Sequence, residues 1–188
     1  MISRSDRFTM NRRWTMLGRM VKSARFDRDT FLDLKEDSSA TRQALIVVVL
    51  AGASFGVGFA SSIGYRAIVA LLLGAAFGAI FSIALGFIWL SLTFLVGTRL
   101  FHGTSDYWSL ARPMFFATSP GLVFLIMLIP VSTVSDIARA VGVAWIAIST
   151  VFAIRAALGL DSQRSLLTFI LVTLIVLIGY GLVSSLYP

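Results

Sequence analysis

Five side chains in the second half of the chain have types and positions that could do chemistry: Arg99, His102, Asp106, Arg112 and Arg155. Guanidinium groups beside a carboxylate and an imidazole could hold an anion or move a proton. Little else of an enzyme accompanies them. His102 is the single histidine and cysteine is absent, so the chain can build neither a multi-histidine centre such as H-E-x-x-H nor a thiolate site. We therefore expect no metal and no cofactor. The G-x-S-x-G spelling at Gly52 to Gly56 lies within an apolar span with no strand before it, so it is no nucleophile elbow, and there is no evident serine–histidine triad. A serine–lysine dyad in the apolar half is excluded, because both lysines, Lys22 and Lys35, precede it. The expected protein is not an enzyme, and the five residues form a polar cluster. Arg155 lies within an apolar run, where arginine is costly unless paired or snorkelling. It can pair with Asp106 or lipid phosphate, or simply reach out to headgroups.

The elements that must position this cluster are membrane helices. Residues 67–98 contain no charge and are bounded by Arg66 and Arg99. As a helix they would run about 48 Å, against a hydrocarbon core of about 30 Å. With 57% hydrophobic residues, a mean hydropathy of +0.89 and 13% charged residues, the chain reads as an all-α integral membrane protein. Five spans are expected, at about 43–63, 67–98, 113–129, 137–158 and 165–184. The second stretch is too short to supply two spans and a turn. Pro120 cannot donate to the carbonyl of Phe116, which predicts a kink near Thr118 and Ser119. Pro130 ends the third span, leaving residues 131–136 as a polar loop. Ser105 is a candidate cap for a helix from Asp106, and Ser38 or Ser39 for the first span.

Small side chains recur every fourth residue in the first two spans: Gly52, Gly56, Ala60 and Gly64, then Ala70, Gly74, Gly78, Ser82 and Gly86. Positions four apart share a helix face and allow close backbone approach. With only a tight turn at Gly64 and Tyr65 between them, the two spans should form a close antiparallel hairpin.

The net charge of +7 is unevenly placed. Residues 1–42 carry ten of the sixteen basic and six of the nine acidic side chains. With this segment cytoplasmic, fourteen basic residues lie inside and two, Arg66 and Arg139, outside. The positive-inside rule then sets the N-terminus inside and the C-terminus outside. Met10, Trp14, Leu17, Val21 and Ala24 line one face of a basic amphipathic stretch, suited to anionic lipid at the cytoplasmic face. The alternative is a partly ordered basic arm. Nucleic acid is not expected as a partner, because the basic excess is small beside the apolar bulk.

In linear order these features resemble the Yip-domain family, the Rab/Ypt-interacting membrane proteins and their prokaryotic relatives. The resemblance runs from about Arg25 to Gly181. It is carried by FDRDTFLDLKEDSSATRQALIVVVL, by GTRLFHGTSDYWSLARPMFFATSPGLV with Phe115, Phe116 and Pro120, and by IRAALGLDSQRSLLTFILV. It implies five spans with a cytoplasmic N-terminus. The prokaryotic likeness implies the cell (inner) membrane. Eukaryotic relatives are linked to small-GTPase binding and vesicle traffic through a longer N-terminal region than the roughly forty residues here.

The leading function class is a non-enzymatic membrane protein that organises lipid or partner proteins, or an accessory subunit of a membrane complex. Membrane-protein partners or a homo-oligomer would suit its small-residue grooves. The alternative is a small oligomeric transporter or channel using the broken third span.

Overall fold

The computed structural model describes residues 15–185. Its helices are α1 (Met16–Ala24), α2 (Arg28–Glu36), α3 (Ala40–Ser62), α4 (Ile68–Leu95), α5 (Tyr107–Phe116), α6 (Ser132–Leu158) and α7 (Ser162–Ser185). A π-helical turn, Val96–Leu100, prolongs α4, and a 3-10 segment, Ser119–Leu128, follows α5. Five stretches among the described residues are long and apolar enough to cross a membrane: α3, α4 with its π turn, α5 with the 3-10 segment, α6 and α7. The chain is an integral membrane protein.

The broken third span occupies the centre. Leu110–Ala117 is buried throughout, as are Ser119, Pro120, Gly121, Phe124 and Met127. Around it pack α3 and α6, while α4 and α7 lie outside. Of its 28 residues α4 buries only Leu90 and Thr93, and it exposes Leu72, Phe77, Ile80 and Phe81. Such a surface would be penalised in water and suits hydrocarbon.

The contact between α3 and α4 is backbone on backbone. A Cβ added to Gly56 would overlap the carbonyl of Gly74, and one added to Gly78 would overlap the carbonyl of Gly52. Ser82 Oγ donates across the pair to the Val48 carbonyl at 3.1 Å. Glycine costs a helix about 1 kcal/mol relative to alanine, a cost that close helix packing offsets here. Two members of the proposed ladder stand elsewhere. Gly64 is outside α3 at φ 96°, with open space around it, so it serves the turn. At Gly86 an added Cβ would make only ordinary contacts with Phe115 and Val48, at 3.5 and 3.8 Å.

Several boundaries differ from the sequence reading. The third span starts at Tyr107, and Pro113 lies within α5. The helix stops at Phe116 and the chain resumes as 3-10 at Ser119, with Pro120 in its first turn. Residues 132–136 are helical, since nothing in STVSD opposes the first turns of α6. Neither Ser105 nor Ser39 supplies a capping hydrogen bond. Ser105 Oγ is turned to the Asp106 carbonyl, and Asp37 accepts from both the N–H and the hydroxyl of Ser39.

Residues 15–42 are also not a separate arm. Phe31 and Leu34 of α2 are fully buried in the same core as Leu110, Phe116, Ile154 and Leu158. Burying two such side chains contributes about 3–6 kcal/mol as an upper estimate. That is enough to hold α2 on the bundle before any polar contact is counted.

Candidate functional site

Among the described residues no hydrogen bond or ion pair joins the five residues of the proposed polar cluster to one another, although the charge of Asp106 reaches Arg112. Arg99 sits exposed in the π turn, and His102 is exposed at φ 56° in the linker. Asp106 is exposed at the start of α5 and makes no side-chain cap. Arg155 is exposed on α6 and, among the described residues, pairs with no carboxylate. The pairing of Arg155 with Asp106 is thereby removed: an exposed guanidinium satisfies itself in solvent or headgroups without a partner. Only Arg112 is buried, at 6% exposure.

Arg112 leads to a different constellation. It donates to the carbonyl of Lys35 at 2.6 Å and to Ser109 Oγ at 3.1 Å. Lys35 is in the last turn of α2, where carbonyls lack helical partners and the dipole favours a cation. Beside it, Arg19 of α1 is 4% exposed. Arg19 donates to Asp37 at 2.6 Å, to Asp33 at 3.1 Å and to Gln43 Oε1 at 3.3 Å. One guanidinium thus ties α1 to α2, to the α2–α3 linker and to the first turn of α3.

The far end of α1 is held as firmly. The chain leaves it through a Schellman-type turn, with Asp27 N–H donating to the Lys22 carbonyl at 3.1 Å. Glycine usually occupies the left-handed position of such a turn, but here it is Phe26 at φ 61°. A side chain there costs about 1–2 kcal/mol. The ring stacks on Phe152 of α6, with centroids 5.3 Å apart, an interaction of about 0.5–1.5 kcal/mol beyond its buried area. Three polar side chains of the membrane bundle donate to α1 carbonyls. Ser119 Oγ reaches Met20 at 3.0 Å, Ser149 Oγ reaches Ser23 at 3.3 Å and Trp145 Nε1 reaches Ala24 at 2.8 Å.

This arrangement adds a buried polar face to the amphipathic stretch, opposite its apolar stripe. Met10 and Trp14 lie outside the described residues. Leu17 and Val21 point away from the protein, at 66% and 51% exposure, and Arg19, Met20 and Ser23 face inward. An arginine with three oxygen acceptors can be buried, although Arg19 Nε and Ser23 Oγ find no hydrogen-bond partner among the described residues. Available signals were Trp145 and Ser149, one turn apart in an apolar span, and Ser119 next to Pro120.

Asp37 lies outside the spans and makes the latch sensitive to acid. Burial pushes its pKa up, but hydrogen bonds from the Ser39 hydroxyl and Arg19, the charge of Arg19 and the Ser39 N–H outweigh this and hold it below 3.8. A folded pKa below the unfolded one stabilises the docked form above about pH 4, an effect lost as pH falls through the folded value. A spin label on Arg28→Cys, unique in a cysteine-free chain, should therefore give a constant spectrum from pH 7 to 5. It should gain mobility below pH 4.

The chemistry of this site is tethering: its donors and acceptors hold two short helices against three membrane-spanning elements. The Yip1 domain profile matches residues 23–184, from the end of α1 almost to the end of α7. No curated protein and no solved structure matches the chain. The family is one of membrane proteins and is not a known enzyme family. With a match that includes α2 and all five spans, this chain belongs to the Yip1-domain family.

Proposed function

We propose that the protein is a non-enzymatic membrane scaffold, organising lipid or partner proteins or serving as an accessory subunit of a membrane complex. The observation that carries this reading is the latch. Arg19, Arg112, Ser119, Trp145 and Ser149 direct their donors at α1, α2 and the linker after α2, so these polar groups fix a surface in place. The surface so fixed presents Leu17, Val21, Arg25, Arg28 and Asp29, a mixed apolar and charged face suited to a protein partner or an anionic headgroup layer. The fourteen-to-two distribution of basic residues supports a cytoplasmic N-terminus, and the prokaryotic likeness supports the cell (inner) membrane.

The transporter reading has less support. At the break Ala117, Ser119 and Pro120 are buried and Thr118 is half-buried, and the Ser119 hydroxyl is already bonded to α1.

The test is purification of the full chain in native nanodiscs, followed by mass spectrometry of everything bound. The scaffold reading expects a stoichiometric protein partner that is retained by Arg155→Ala and lost from Arg19→Ala. A chain that purifies without any protein partner in all three forms would overturn the partner side of the reading.

A further inference from the structure

On the flank of the α3–α4 hairpin lies a groove of about 960 Å³ with an almost wholly apolar lining. Its walls include Phe55 and Phe59 of α3, Phe77 and Phe81 of α4, and Val143 and Ile146 of α6. Along α3 it extends from Val48 to Ile63, about 22 Å at 1.5 Å per residue. One leaflet contributes about 15 Å of hydrocarbon, so an acyl chain entering at the hairpin end can lie within the groove for its whole length.

The hairpin end is also where charge gathers. Successive spans are antiparallel, so the α3–α4 turn and the start of α6 share one end of the bundle, opposite the N-terminal helices. Tyr65 lines the groove there, and Arg66 follows it, exposed and without an ion pair among the described residues. Arg139 lies one helical turn from Val143 towards the same end. Its only carboxylate is the exposed Asp136, a loose 3.8 Å contact, and its Nε is shut from water with no hydrogen-bond partner among the described residues. Among the described residues these are the only basic ones at that end of the bundle. An apolar slot opening beside two under-neutralised guanidinium groups complements one ligand chemistry, a phosphate monoanion carrying a long alkyl chain.

We propose that the groove binds one anionic phospholipid from the leaflet at the hairpin end, with an acyl chain along Phe55, Phe77 and Val143 and the headgroup phosphate at Arg66 and Arg139. This deepens the lipid side of the scaffold reading and rests on it. A second copy of the chain is the competing occupant, and it would leave a dimer without retained lipid.

The test places the full chain in mixed micelles of phosphatidylglycerol and phosphatidylcholine with identical acyl chains and counts retained lipid by native mass spectrometry. The expected result is one phosphatidylglycerol per chain, retained in preference to phosphatidylcholine. Arg66→Gln and Arg139→Gln should each lower that preference about fivefold, as expected for one arginine at an anionic surface. Val143→Trp should displace both lipids. Arg155→Ala, at the other end, should change nothing. If Val143→Trp does not fold, the two glutamine variants alone decide the matter. Equal retention of the two lipids, an unaltered preference in both glutamine variants, or a lipid-free dimer would overturn the proposal. A chain that keeps a protein partner but no phospholipid overturns the groove and leaves the partner side of the scaffold reading standing.

Discussion

Gly56→Leu is expected to abolish the α3–α4 hairpin and with it the folded protein. Overpacking a core ordinarily costs about 1–3 kcal/mol, because neighbouring side chains move aside. Here the obstacle is the backbone of Gly74 and Gly78, which can yield only by separating the two helices. The expected cost exceeds about 3 kcal/mol, a large share of a total stability of about 5–15 kcal/mol. Gly78→Leu should behave alike, since its added carbon meets the carbonyl of Gly52. Gly179→Leu is the matched control: it adds the same side chain to α7, where an added Cβ meets nothing within 4 Å. Thermal unfolding in detergent, followed by size exclusion, should show loss of the monodisperse species for the first two and little change for the third. Equal behaviour of all three would mean that α3 and α4 do not cross at these glycines.

Arg19→Ala is expected to free α1 from the bundle while leaving the five spans folded. Removing one partner of a buried pair typically costs about 3–5 kcal/mol. Asp33 and Asp37 keep 48% and 27% of their side-chain surface exposed, so water recovers part of that, and about 2 kcal/mol is the better expectation. The spans should survive because Phe31 and Leu34 remain buried without Arg19. Limited proteolysis between Arg19 and Arg28 should therefore accelerate about thirtyfold, the equivalent of 2 kcal/mol when cleavage follows local opening. Arg155→Ala, which removes an exposed arginine with no ion pair among the described residues, should leave the cleavage rate unchanged.

The features legible in the sequence are those fixed by local composition. An apolar run of span length must form a helix in hydrocarbon, so the five spans follow from hydropathy, and the four-residue period of glycine marks where α3 and α4 touch. What was not legible depends on choices made at a distance. Arg19 bonds to residues 14, 18 and 24 positions away, and Trp145 bonds to a carbonyl 121 positions away. Nothing in the spacing of α1 says that its arginine face would turn inward. A hydrophobic stripe counts only apolar positions: it places Leu17 and Val21 on an outward, lipid-suited face but gives no sign that Arg19 is buried behind them. Pro113 misled for a local reason: proline favours the first turn of a helix, and α5 instead tolerates it one turn further in. Within the linker cluster the charge of Asp106 reaches Arg112, but shared depth does not by itself bring all five side chains to one hydrogen-bonded point.

The central claim is that residues 16–36 are a built part of the membrane bundle. Hydrogen exchange on the full chain in nanodiscs tests it most directly. The account predicts slow exchange for the amides of Arg19–Ala24 and Phe31–Leu34 in the unaltered protein, speeded about thirtyfold and selectively over Arg19–Ala24 in Arg19→Ala. Exchange over these residues as fast as in an isolated peptide, with the five spans still protected, would contradict it.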